Sequence, residues 1–125
     1  MVSLGVTRSC YLLLTFSLVG LCPSPTLAQG NALAGRALFA EERKGNCAAC
    51  HRTPTDASRI GASNIGPALE GIRQKYVTPA DRVRLRDSIR DQSVVNLSTI
   101  MPPYGRHHIL TESEIDDIVA YLESL

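Results

Sequence analysis

The sequence has no excess of charge of either sign. Its 13 basic and 12 acidic side chains leave a formal net charge of +1. That balance gives no electrostatic case for nucleic acid or an anionic membrane surface as a partner. Nor is there an apolar run of comfortable membrane-spanning length. Residues 10–22 form an apolar run, but it falls short of the roughly 20 residues a bilayer core requires. β-Hairpin signals are missing, so nothing argues for a sheet. Methionine and cysteine are scarce. Beyond residue 28 the chain keeps one methionine, Met101, and two cysteines, Cys47 and Cys50.

The N-terminus has the parts of a secretory signal peptide in their usual order. Arg8 supplies a positive charge, residues 10–22 the apolar run, and Thr26-Leu27-Ala28 a small-x-small site before Gln29. The expectation is a cleaved segment over residues 1–28 and one small domain over 29–125, exported to the periplasm without a membrane span in its mature form. No twin arginine precedes the run, which favours export of an unfolded chain. Two rival readings are weaker. An uncleaved anchor would need a longer run, and lipidation at Cys22 would need a small residue where bulky Leu21 stands. Removing residues 1–28 takes away one arginine and no acid, so basic and acidic side chains then balance.

An exported domain normally spends paired cysteines on disulfides. Here Cys47-Ala48-Ala49-Cys50 is followed at once by His51, which makes C-x-x-C-H, the c-type haem attachment signal. Positions i and i+3 of a helical turn share a face, so both sulfurs can reach one edge of a porphyrin. His51 can then turn its imidazole to the iron, and the two alanines let the macrocycle lie close to the backbone. A zinc site would need two more ligands, and the adjacent His107 and His108 make a poor pair for one tetrahedral centre. A thioredoxin-like dithiol lacks its βαβ context. A plain disulfide leaves His51 unexplained. One covalently attached haem c is therefore the expected cofactor.

Helical patterns follow along the rest of the chain. Residues 31–42 carry an apolar face of Leu33, Leu38 and Phe39, with Gly35 among them. Residues 52–68 read as a long loop, and a short helix is expected from about Ala68 to Lys75. Thr78-Pro79-Ala80-Asp81 starts a helix that runs to about Gln92, with Val83, Leu85 and Ile89 as its buried positions. Arg82, Arg86 and Arg90 fall on one ridge of that helix near Asp87 and Asp91. The ridge reads as a solvated, partly self-paired face, or alternatively as a docking surface for an acidic partner. Thr111-Glu112-Ser113-Glu114 is a capping box, and Ile115, Ile118, Val119 and Leu122 continue as a helical stripe. The expected fold class is all-α.

The sixth iron position separates electron transfer from chemistry on a bound molecule. Met101 lies in Ile100-Met101-Pro102-Pro103-Tyr104-Gly105, a proline- and glycine-rich loop between two helices. That is a poor place for core filler and a good one for a pinned ligand, because the prolines restrict the backbone. His107 and His108 are the competitors. With His51 and Met101 both on the iron, the site would be closed to peroxidase or oxygen chemistry.

Together these residues resemble the class I cytochrome c family: Gly35 and Phe39, Cys47-x-x-Cys50-His51, Gly66-Pro67-x-Leu69, Met101-Pro102 and Tyr121-Leu122. The resemblance implies N- and C-terminal helices crossing around one haem, with Gly35 allowing a close approach near Tyr121. It also implies that the Pro67 carbonyl meets the outer nitrogen of His51. A narrower resemblance is to the SoxX family, the monohaem subunits of SoxAX cytochromes in bacterial thiosulfate oxidation. Gly45-Asn46-Cys47, Asn64-Ile65-Gly66-Pro67, Thr99-Ile100-Met101-Pro102-Pro103-Tyr104-Gly105 and Leu110-Thr111 carry it. Leu97 departs from an expected Asn-Pro pair, and the chain lacks an N-terminal extension found in some relatives. The SoxX likeness implies a heterodimer with a SoxA-like cytochrome subunit, which would act on a cysteine of a SoxYZ-type carrier protein. This chain would then be the electron acceptor within an L-cysteine S-thiosulfotransferase, not catalytic alone, passing electrons to a soluble cytochrome. The rival classes are a free-standing electron shuttle and a haem enzyme or gas sensor with an open sixth site.

Overall fold

The computed structural model describes residues 29–56 and 65–125. The expected signal segment, residues 1–28, lies outside the described residues, as do residues 57–64 of the expected long loop. Four α-helices follow in order: α1 (Ala32–Ala40), α2 (Ile72–Lys75), α3 (Pro79–Asp91) and α4 (Glu112–Glu123). Single 3-10 turns occupy Glu42–Lys44, Cys47–Ala49, Pro54–Asp56 and Gln92–Val94. No strand occurs among the described residues, in line with the all-α expectation. None of the described helices is long and apolar enough to cross a membrane.

Each longer helix begins on a side-chain cap, which satisfies amide groups that have no partner within the helix. The Asn31 side chain accepts from the amides of Leu33 and Ala34 at 2.9 and 3.2 Å. Thr78 and Asp81 close a capping box on α3, with Pro79 in the first turn. Thr111 and Glu114 do the same for α4. The short helix expected from Ala68 shrinks to one turn. Gly71, at φ +67, leaves the right-handed backbone immediately before Ile72.

The core forms where α1 crosses α4. A Cβ on Gly35 would lie 1.9 Å from the Asp117 carbonyl oxygen and 2.9 Å from the Ile118 nitrogen. Only hydrogen fits in that space. One turn further on, Phe39 meets Tyr121 edge to face, with ring centroids 5.5 Å apart. The crossing therefore centres on Asp117 and Ile118, with Tyr121 as the aromatic contact beyond it. Ile115, Ile118, Val119 and Leu122 are buried beneath it, joined by Leu85 and Ile89 of α3 and by Ile72. Burying each such side chain stabilises the fold by roughly 1.5–3 kcal/mol.

Two expected core positions face outward. Leu33 is 80% exposed and Val83 39% exposed. Both corrections have one geometric cause. Each residue stands two positions before a buried one, Gly35 and Leu85, which places it about 200° round the helix.

The arginine ridge of α3 is neither self-paired nor free for a partner. Arg86 Nε donates to Asp116 Oδ1 at 2.7 Å, and Arg86 Nη2 to Glu112 Oε2 at 2.6 Å. Arg82 pairs with Glu123 at 3.1 Å and Arg90 with Glu112 at 3.4 Å. All these acids belong to α4, so the ridge is a latch between helices. The hydrogen bond that Arg86 donates to Asp116, with the charge of that carboxylate, holds the guanidinium above its ordinary value. Ion pairs at or near the surface contribute about 0–1 kcal/mol each. The latch therefore sets the register of α3 on α4 more than it adds stability.

Replacing Gly35 with Ala is expected to cost about 3 kcal/mol, the upper range for overpacking. Leu33→Ala should change stability by less than about 0.5 kcal/mol, as for an exposed side chain. Urea unfolding of both variants checks the contrast, and equal midpoints would contradict the crossing geometry.

Candidate functional site

The segment before Cys47 reverses sharply. Gly45 at φ +108 and Asn46 at φ 46 both lie in the left-handed region, where glycine and asparagine are the best tolerated residues. The backbone then wraps tightly. The Cys50 and His51 amides both donate to the Cys47 carbonyl, at 3.1 and 2.9 Å. In such a 3-10 turn residues i and i+3 eclipse, which places Cys47 and Cys50 on one side. Both thiols are half-buried and unbridged. Burial, with the neighbouring Cys50, pushes the Cys47 thiol up to about 11 against an opposing backbone hydrogen bond.

His51 is held from its outer side. Its Nδ1 lies 2.8 Å from the Pro67 carbonyl oxygen. A carbonyl can only accept, so Nδ1 carries the proton and the lone pair of Nε2 is left for a metal. Two backbone bonds clamp the proline segment onto the histidine segment: Gly66 N to Cys50 O at 2.9 Å, and Leu69 N to Arg52 O at 2.8 Å. The clamp is close. A Cβ on Gly66 would lie 2.5 Å from His51 Cε1 and 2.7 Å from Nδ1.

Behind the histidine, Thr53 is 1% exposed. Its hydroxyl meets that of Thr55 at 3.0 Å, and Thr55 meets the Tyr121 hydroxyl at 3.1 Å. This hydroxyl chain ties the strand of backbone after His51 to α4. No sequence pattern pointed to it, because Tyr121 stands 66 residues from Thr55.

Met101 is half-buried and packs against the core cluster that Cys47, Ala48 and Leu69 also touch. Its amide donates to Thr99 Oγ1 at 3.1 Å, which fixes the start of the loop. Three residues later Tyr104 is buried, and its hydroxyl donates to the Gly45 carbonyl at 3.3 Å. Burial pushes the Tyr104 phenol up to about 12, with the Cys47 and Cys50 thiols adding to the shift. The loop that carries Met101 is thereby joined to the segment that carries the cysteines. His107 and His108 are exposed. Among the described residues no three His, Cys, Asp or Glu side chains are grouped so as to hold a metal ion.

The residues fit a covalently held haem. Two adjacent thiols share one side of a turn, an imidazole of fixed tautomer follows them, and small Ala48 and Ala49 lie between. The bound group would supply a one-electron iron couple.

A family model described as cytochrome c matches residues 32–125. An uncharacterized lipoprotein of Aquifex aeolicus (strain VF5) is 41% identical over 80 residues, covering 64% of this chain and 36% of the relative. The chain thus spans little more than a third of that relative's length. A chain in the crystal structure of SoxXA from P. pantotrophus is similar at a TM-score of 0.65 and 24% identity, with 78% of this chain and 82% of that chain covered. That likeness concerns the fold, which is the all-α class I cytochrome c fold.

Gly66→Ala should push the His51 ring away from Pro67. The expected result is loss of the slowly exchanging Nδ1 proton resonance of His51 in NMR spectra. A retained resonance would show that the ring does not depend on the glycine.

Proposed function

The chain belongs to the cytochrome c family, an electron-transfer domain, and on that ground we propose that it is the electron-accepting monohaem subunit of a periplasmic SoxAX-type thiosulfate-oxidising complex. The observation that carries the haem assignment is the His51 Nδ1 contact with Pro67, 2.8 Å long, directly after the paired thiols. Cys47 and Cys50 would hold one haem c through thioethers, and His51 Nε2 and the Met101 sulfur would bind its iron. A closed site of this type suits outer-sphere electron transfer, and His/Met ligation raises the reduction potential relative to bis-His.

The protein's own residues set the conditions for that transfer. The Pro67 carbonyl fixes the imidazole and makes it a better donor to the metal. The rim is apolar. Ile65, next to Gly66, is 60% exposed, and Ile100, next to Met101, 77% exposed. Val94, Val95 and Leu97 are also exposed, and residues 92–105 contain no charged side chain. A transient shuttle keeps a charged rim for steering, whereas a permanent interface has an apolar centre depleted of charge. The rim therefore supports a lasting partner over a free shuttle. The fold likeness to a SoxXA chain and the Met101-Pro102-Pro103-Tyr104-Gly105 block support a SoxA-like subunit in that role.

On this reading the partner performs the covalent step. A sulfur–sulfur bond forms between thiosulfate and a cysteine of the SoxYZ-type carrier, the thiol proton leaves, and two electrons are released. This chain receives them singly and hands them to a soluble cytochrome. Residues 1–28 direct export to the periplasm and are removed near Ala28–Gln29.

Met101→Ala is expected to give a reduced protein that binds carbon monoxide at neutral pH, while the unaltered protein does not. Carbon monoxide binding by the unaltered protein would favour a haem enzyme or sensor instead. Capture from the periplasm of thiosulfate-grown cells should bring down a second haem-staining protein. The isolated chain should be redox-active yet unable to conjugate thiosulfate, and recovery of the chain alone would favour the shuttle.

A further inference from the structure

Tyr104 joins two segments that local structure leaves independent. Its ring lies over Gly45, where a Cβ would come within 2.1 Å of Cε1. Its hydroxyl donates to the carbonyl of the same glycine. Its own carbonyl accepts from the amides of Ile109 and Leu110, at 2.9 and 3.2 Å, where the loop returns to the core. The next two amides, Gly105 and Arg106, donate to Arg90 O at 3.0 and 3.3 Å at the end of α3. One residue thus ties the methionine loop to itself, and the loop's neighbouring amides tie it to α3.

The contact with Gly45 has a different consequence from the others. Gly45 precedes Cys47 by two residues and Tyr104 follows Met101 by three. A haem bonded to Cys47 and Cys50 moves with the Gly45 segment, whereas the Met101 sulfur moves with the Tyr104 loop. A weak thioether ligand stays on iron only while those two segments keep their spacing. We propose that Tyr104, through its hydroxyl on the Gly45 carbonyl, is the positioning residue that keeps Met101 on the iron. The proposal rests on the reading of Met101 as the sixth ligand. Gly45 is the necessary counterpart, because any larger residue would separate the ring from the backbone.

The test uses the haem-loaded protein in its oxidised form, titrated with imidazole as a competing ligand and followed by the sulfur-to-iron absorption band. Tyr104→Phe keeps the ring packing and removes one hydrogen bond, which should tighten imidazole binding roughly two- to tenfold. Val119→Ala, which opens a gap in α4 beneath the crossing, serves as the control for general loss of stability. It should leave the imidazole affinity at the level of the unaltered protein. Equal affinities in Tyr104→Phe and the unaltered protein would overturn the proposal. So would equal tightening in Tyr104→Phe and Val119→Ala, since Tyr104 would then act only through stability. Met101→Ala separates the underlying reading: if it lacks any effect on the band and on imidazole affinity, Met101 is not the ligand and both ideas fall.

Discussion

The close approach of α1 to α4 is the constraint on which the remaining arrangement depends. Where Gly35 meets the Asp117 carbonyl, two helix backbones come nearer than any side chain at that point would allow. That approach buries Phe39 against Tyr121 and brings the start and end of the domain together. Between those ends the chain makes a long excursion through the cysteine turn, the proline segment and the methionine loop. Each of these has little regular structure of its own and is held by reference to the helix pair. The hydroxyl chain from Thr53 through Thr55 ends on Tyr121, so even the backbone behind His51 is fixed to the crossing.

Charge has a supporting part. Arg82, Arg86 and Arg90 of α3 all engage acids on α4, which converts an apparently solvated ridge into a latch. Lys44 does likewise from the turn after α1, reaching Glu114 at 2.9 Å. Thr111 and Lys44 together hold the Glu114 carboxyl below its usual range, by hydrogen bonding more than by charge. The capping residue of α4 thus also anchors the segment leading to the cysteines. Such pairs add little stability singly. Their value lies in fixing which turn of one element faces which turn of another. Beside Met101, by contrast, the exposed side chain is the apolar Ile100.

Helix-start signals are legible in the sequence because their physics is local. Capping boxes at Thr78 and Thr111 depend on three or four consecutive residues, and both formed. The attachment motif depends on five. Leu33 and Val83 were misassigned because helical periodicity says that one face is buried but not where that face is centred. Gly35 and Leu85 decide the centre, and they do so by contact with another helix. The partners of Arg82, Arg86 and Arg90 were out of reach for the same reason, since acids on the same helix and on a distant one are equivalent in a linear reading. Tyr104 and Gly45 were visible as members of conserved-looking blocks in the resemblance, with nothing to join them.

By itself the sequence determined the chemistry on offer: two thiols and an imidazole at fixed spacing, a methionine followed by two prolines, and helices with defined starts. These follow from residue type and short separation, which survive without a fold. Only the tertiary structure decided how that chemistry is aimed. The His51 tautomer is set by a carbonyl sixteen residues away, the space for its ring by the missing side chain of Gly66, and the link from the methionine loop to the cysteine turn by a single phenol hydroxyl. Each is a contact between segments distant in the chain, and its geometry exists only once the helix crossing has brought those segments together.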